Sequence, residues 1–283
     1  MPGANSVTSN QETLHKDLEE VVRKYARTTF LRPIADHTRE AFAEAEEFVR
    51  KFYETAEKGD PGTESGMTNE KKKGAPATEC GMTAPVAVIL DSGCGTGEST
   101  IHIARRFPAI PVIGIDKSFA RLNKAGNPSQ TAGEDVPPNA FWIRAELLDF
   151  WRLALDLVKA CKWTIPYHAV YYPNPWPKQS EATRRFHMHP IFPTLLALSN
   201  VTELRTNWEI YAREFAEAAK IVLSECTETG TATEMGVATA AGMTSEAAMT
   251  ITCESFDPAA PETAFERKYK DAGQKLWKVI VKT

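Results

Sequence analysis

A continuous apolar run, Val86-Ala87-Val88-Ile89-Leu90, leads directly into Asp91-Ser92-Gly93-Cys94-Gly95-Thr96-Gly97, and no other stretch constrains the fold as much. Five successive apolar residues without alternation suit a strand buried on both faces, as in a parallel sheet covered by helices. Three glycines at alternate positions then permit positive φ and let a ligand lie against the main chain without an intervening Cβ. The dinucleotide fingerprint G-x-G-x-x-G/A does not fit. Counted from Gly93 its last position is Glu98, and counted from Gly95 it is Thr100. Glu98 would also sit badly against a pyrophosphate. The loop points to a nucleotide-linked cofactor that is not a dinucleotide.

The rest of the chain supplies the partners such a strand needs. Further strands fit 112–115, 141–144, 168–172 and 201–205, and helices fit 100–107, 153–162, 193–198 and 208–223. Strands alternating with helices at this pace indicate an α/β fold, a mostly parallel sheet with helices on both faces. Segments 249–254 and 276–281 suit a closing antiparallel pair. Ahead of the sheet, Leu14, Leu18, Val21, Val22 and Tyr25 recur at helical spacing, as do Ala41, Phe42, Ala45, Phe48 and Val49. Residues 58–84, with Gly, Pro, Ser and Lys71-Lys72-Lys73, read as a solvated linker. The expected organisation is N-terminal helices and linker over 1–84, then one domain over 85–283, interrupted by a low-complexity insertion at about 226–249.

Charge narrows the partners. The net charge is −4, but residues 221–265 hold seven acids and no lysine or arginine, so the remainder carries +3. That remainder is compatible with RNA. Val21–Arg32 holds four basic residues and no acid, which reads as a solvated helix face or as an arm along a phosphate backbone. Five scattered cysteines without a C-x-x-C pair fit reduced thiols inside a cell, with neither a disulfide framework nor a zinc site. His187 and His189 lack cysteine or acidic neighbours at ligand spacing, so no metal is expected. No apolar run approaches a membrane span, and residues 1–11 lack the apolar core of a signal peptide. An intracellular, cytoplasmic or nuclear, soluble protein is the expectation.

G-x-G-x-G preceded by an acid resembles motif I of class I (Rossmann-like) methyltransferases. The resemblance implies S-adenosylmethionine as cofactor, with Gly93, Gly95 and Gly97 against its methionine part and Asp91 close by. Asp116 ends the second strand, 23 residues after Gly93, where an acid can accept hydrogen bonds from both ribose hydroxyls. Glu146, after the third strand, matches the family position near the adenine.

Four more segments narrow the resemblance: Tyr172-Pro-Asn-Pro-Trp-Pro-Lys178, Arg184-Arg-Phe-His-Met-His-Pro190, Leu204-Arg-Thr-Asn-Trp-Glu-Ile-Tyr211 and Glu262-Thr-Ala-Phe-Glu-Arg-Lys-Tyr269. In this order and spacing, from about Pro85 to Lys282, they look like the tRNA (guanine-N7)-methyltransferase family of the TrmB type. The resemblance implies that Asn174, Asn207, Thr263 and Glu266 orient a guanine, with the Glu266 carboxylate holding the donors on N1 and N2. Lys178, Arg184 and Arg185 read as a phosphate-binding edge or as a solvated basic loop, and Trp176 as a base-stacking or a packing ring. The commoner family pattern carries aspartate where this chain has Asn174, in an N-P-W-P variant of P-D-P-W, and Asn207. Guanine N7 bears no proton, so its attack on a methyl needs no general base. The amides do remove negative charge that would stabilise a purine turning cationic. Two alternatives stay open: methylation of another RNA position or a small molecule, and a non-catalytic RNA-binding or scaffold module of the same fold. A protein partner or homodimer is not readable from the sequence.

Overall fold

The computed structural model describes residues 7–58, 84–124, 135–228 and 249–283. In chain order the elements are α1 (Leu18–Ala26), α2 (Asp36–Lys58), β1 (Val86–Ala87), β2 (Ile89–Ser92), α3 (Glu98–Arg106), β3 (Val112–Asp116), α4 (Phe119–Leu122), β4 (Ala140–Arg144) and α5 (Leu147–Lys159). They continue as β5 (Trp163–Thr164), β6 (His168–Tyr171), two 3-10 turns (Gln179–Arg184 and Phe186–Met188), α6 (Phe192–Ala197), β7 (Val201–Thr206), α7 (Glu209–Glu228), β8 (Thr250–Phe256), α8 (Ala264–Asp271) and β9 (Leu276–Lys282). Most of the linker and most of the insertion, with Lys71–Lys73 and Cys80, lie outside the described residues.

Seven strands form one sheet in the order β4-β3-β2-β6-β7-β9-β8, parallel from β4 to β7 and antiparallel at β9 and β8. This is the expected mostly parallel sheet with a C-terminal antiparallel pair. The apolar run differs in one respect. It divides at Val88, so that β1 pairs with β5 in a small separate sheet while β2 enters the main one.

Period-2 alternation loads both faces of the sheet. Leu90, Ile113, Ile115, Val170 and Leu204 point into the larger core, with Phe150 and Trp151 of α5, Phe215 and Val222 of α7, and Leu18, Phe42 and Val49 of the N-terminal helices. Ile89, Val112 and Ala169 point the other way, against Ile103 and Ala104 of α3. The N-terminal helices therefore share the core of the sheet: Phe42 meets Phe150 edge-on at 4.9 Å and Phe48 stacks on Phe141 at 4.7 Å.

The basic run in α1 and beyond is largely paired. Arg23 and Arg27 reach Glu225 on α7, and Arg32 reaches Asp149 on α5. Those pairs use the charge to dock helices, which favours the helix-face reading over a phosphate-binding arm. Cys94 and Cys253 are free thiols, but Cys161 is disulfide-bonded, which corrects the expectation of reduced thiols throughout. Among the described residues no helix is long and apolar enough to cross a membrane.

Candidate functional site

In an open α/β sheet the ligand crevice lies at the carboxyl ends of the strands where chain progression reverses. Here progression runs outward through β3 and β4 on one side of β2 and through β6 and β7 on the other, so the reversal lies between β2 and β6. The glycine loop leaves β2 and the Tyr172–Lys178 loop leaves β6. Both open on this crevice.

Gly93, Gly95 and Gly97 have φ of 80°, 59° and 82°, and Gly97 forms the N-cap position of α3. The N–H groups of Gly93 and Cys94 donate to the Ile115 carbonyl at 2.7 and 3.1 Å, fixing the loop to β3. A Cβ at Gly93 would stand in open space, and one at Gly95 would meet only the Gly93 carbonyl at 4.0 Å. The space over the loop is therefore a cradle that a side chain would fill. Asp91 lies beneath it, 1% exposed, and its Oδ2 accepts hydrogen bonds from the Ser99 and Thr100 hydroxyls at 2.6 and 2.7 Å. It shapes the loop by holding the first turn of α3.

Asp116 sits at the tip of β3. Its Oδ2 accepts from Gly95 N at 3.1 Å and from Arg121 at 3.2 Å, and its Oδ1 accepts from Ser118 N at 2.7 Å. A carboxylate has about four acceptor sites, so a ribose hydroxyl can join these donors or displace the half-exposed Arg121. Glu146 is half-buried at the N-cap of α5, and its carboxylate makes no capping bond. Acids thus surround the cradle, and this donor set fits a nucleoside bearing sulfonium and ammonium charges better than a pyrophosphate.

On the β6 side, Tyr172 and Trp176 both adopt left-handed backbone, φ 50° and 45°, which is a genuine outlier for aromatic residues. Between them Asn174 is exposed, and its Oδ1 accepts a hydrogen bond from Trp176 N at 3.3 Å. With Oδ1 committed, the amide presents its N–H donors outward. Arg184 lies over the Trp176 ring at 3.6 Å while pairing with Glu181 at 3.0 Å, and Lys178 is exposed. Ser92 Oγ, His168 Nε2 and Trp151 Nε1 tie β2, β6 and α5 together below the crevice, each contact 2.8 Å. Burial holds His168 down to about 3, so its ring stays neutral.

Asn207 ends β7 beside the β6 loop, where Tyr172 N donates to the Arg205 carbonyl at 2.8 Å. The Asn207 amide donates to Gln274 at 2.9 Å. The T-x-F-E segment makes a capping arrangement: Thr263 Oγ1 accepts from Glu266 N at 2.9 Å at the N-cap of α8. Glu266 is fully buried, both its oxygens accepting from Arg205 Nη1 at 3.0 and 3.1 Å. Burial pushes its carboxyl upward, and Arg205 opposes the shift.

Two expected substrate contacts are drawn into the interior. The Glu266 carboxylate docks α8 on β7, and Arg185 is fully buried against Glu214 at 2.6 Å with the Trp208 ring 4.8 Å away. The remaining candidates, Asn174, Asn207, Thr263, Lys178 and Arg184, all belong to segments that leave or pack on β6 and β7. Sequence reasoning missed Ser99, Thr100, Arg205 and Glu214. Glu214 had a readable signal: a lone acid on the apolar face of α7 with Tyr211, Ala212, Phe215 and Ala218. Arg205 had one too, a base two residues from the acid Glu203 inside a strand-like run.

Known proteins resemble this chain in the same terms. A family model described as "Putative methyltransferase" (Methyltransf_4) matches residues 85–279. A tRNA (guanine-N(7)-)-methyltransferase of Neisseria meningitidis serogroup C is 25% identical over 200 residues, 69% of this chain and 71% of that protein. One of Mycolicibacterium gilvum is 31% identical over 143 residues, 46% of this chain and 49% of that protein. A trans-aconitate 2-methyltransferase of Deinococcus radiodurans is 55% identical over only 42 residues, so this chain spans 16% of its length. Among solved structures, the 16S rRNA methyltransferase KamB aligns with a TM-score of 0.42 at 15% identity, over 70% of this chain and 88% of that one. With the family model covering the sheet from β1 to β9 and the glycine cradle at its switch point, the chain belongs to the TrmB-type methyltransferase family, and its cofactor is S-adenosylmethionine.

Proposed function

We propose that the protein transfers a methyl group to N7 of a guanine in tRNA. The observation that carries this reading is Asn174, exposed at the switch point beside the glycine cradle with its amide donors uncommitted. Next to N7, guanine presents the O6 acceptor, whereas adenine presents an amine donor. An outward N–H therefore favours guanine. The relatives named as tRNA (guanine-N(7)-)-methyltransferases support the same choice.

S-adenosylmethionine, when bound, supplies a methyl on a sulfonium centre. Gly93, Gly95 and Gly97 give its methionine part a main-chain surface, Asp116 accepts from the ribose, and Glu146 borders the adenine. Asp91 acts one step back, by holding α3 and hence the loop. Asn174 and Asn207 orient the base, which must leave its stack to reach the crevice. Lys178 and Arg184 carry phosphate contacts, and the Arg184–Trp176 stack offers a flat, cationic surface to a neighbouring base. N7 has no proton to lose, so catalysis comes from alignment of the reacting atoms. A tRNA substrate places the reaction inside the cell.

Incubation of tRNA with methyl-labelled cofactor, followed by mass spectrometry of the nucleosides, tests the reading. Labelled 7-methylguanosine is the expected product. Asn174→Ala should cut turnover by roughly tenfold, about one lost hydrogen bond, with cofactor affinity unchanged. Asn174→Asp loses the same donor but adds charge that favours a cationic purine, so its turnover should fall less than that of Asn174→Ala. Unlabelled tRNA from both wild type and the aspartate variant, with cofactor still bound, would end the tRNA reading.

A further inference from the structure

The loop carrying Asn174 is held in a conformation it would not adopt alone. Trp176 has φ 45°, and such strain persists only where the surroundings over-determine it. The carbonyl of that same residue accepts two hydrogen bonds from Arg185, from Nε at 3.2 Å and Nη2 at 3.0 Å. The next carbonyl, of Pro177, accepts from Ser9 Oγ at 2.8 Å.

Behind Arg185 lies Glu214, on α7 and fully buried. Its Oε2 accepts from Arg185 Nη1 at 2.6 Å and contacts His187 Nε2 at 2.9 Å. Its Oε1 accepts from Gln11 Nε2 at 2.5 Å and from the His15 amide at 2.7 Å. Burial works against its charge, but the bond to His187 and the Arg185 guanidinium outweigh it and hold the carboxyl down to about 2. A buried ion pair is weak evidence of stability, since apolar residues fill such space as well; its best-attested use is to specify one arrangement. The arrangement specified here is the backbone at Trp176.

We propose that Glu214 is a positioning residue for the Asn174 loop, acting through Arg185 and joined by the N-terminal segment from Ser9 to His15. That segment precedes the sheet by some seventy residues in sequence and still forms part of the apparatus that presents the acceptor base. The effect on turnover rests on the guanine reading above; the effect on the loop does not.

Three variants test it, with two readouts. Arg185→Lys keeps the charge beside Glu214 but cannot supply both N–H bonds to the Trp176 carbonyl. Its turnover on tRNA should fall on the order of tenfold, as for a slightly misplaced reacting group. Its KM, cofactor affinity and melting temperature should stay near wild type. Ser9→Ala, at a partly buried surface position, should give a smaller fall of the same kind. Glu214→Gln should match or exceed Arg185→Lys.

Hydrogen exchange across 172–178 should quicken in all three, whatever the substrate proves to be. If Glu214→Gln does not fold, the other two decide. Wild-type turnover and unchanged exchange in Arg185→Lys and Ser9→Ala would overturn the proposal. Faster exchange in a protein that leaves tRNA unmethylated would overturn only the guanine reading.

Discussion

Adjacent residues of like chemistry can have opposite fates, and Arg184 and Arg185 are the clearest instance. One lies over the half-buried Trp176 indole and the other is fully buried. Side-chain type gives no hint of this difference, because it arises from the 3-10 turn that ends between them. Asp91 carries a second residue-scale consequence. Burial pushes its carboxyl up to about 6, while the Ser99 and Thr100 hydroxyls pull it back.

Unfolded, an aspartate titrates near ~3.9. Between that value and 6 the native state holds more protons than the unfolded one, so this group's contribution is full below pH 4 and declines as pH rises through 6. At neutral pH the buried charge costs on the order of 3 kcal/mol. Asp91→Asn keeps an oxygen for both hydroxyls and removes the titration. The expected outcome is a melting temperature that no longer falls between pH 4 and 6.5 on this account. A pH profile parallel to wild type would show that Asp91 is ionised at its ordinary value.

At the scale of elements, the sheet was largely legible from the sequence, and the reason is period. Buried strands flanked by glycine and proline leave little choice of assignment, and six of the seven main strands stand within a residue or two of expectation. The helix after β4 was placed from 153, whereas α5 begins at Leu147. Its first turn, Leu147-Leu148-Asp149, lacks a side-chain cap, so no local signal marked the start. The pairing of Glu266 was not legible for a related reason. Nothing in T-x-F-E distinguishes a helix cap from a ligand contact, and its partner Arg205 stands sixty-one residues away.

Gly114 on β3 gives this scale its test. A Cβ there would come within 2.4 Å of Thr100 Oγ1 and 2.8 Å of the Trp142 ring. Thr100 cannot yield, because its hydroxyl is bound to Asp91. Gly114→Ala should therefore destabilise the protein by roughly 1–3 kcal/mol, as overpacking does, and weaken cofactor binding by shifting the start of α3. A melting curve and a titration check both. Normal values would mean that β3 and α3 stand further apart than described.

Across the whole molecule, part of the acidic charge is paired. Of the acids in 221–265, Glu225 on α7 pairs with Arg23 and Arg27 and Glu254 on β8 pairs with Lys278, while Glu234 and Glu246 lie outside the described residues and Lys178 and Arg184 stand on the segment after β6. Arg184→Ala should lower tRNA affinity and reduce the slope of log affinity against log salt by about 1. Cofactor affinity should not move. An unchanged slope would leave the loop after β6 a solvated surface.

The order of the sheet has one more consequence, for how the chain is made. β9 lies between β7 and β8, so β8 is synthesised first but finds its partner in β9, the strand made after it. During synthesis the five parallel strands all emerge before β8, α8 and β9. The final seven-residue strand then inserts like a bolt, joining β8 to the sheet. A nascent chain stalled short of Leu276 would carry β8 and α8 with no strand to join β8 to the sheet.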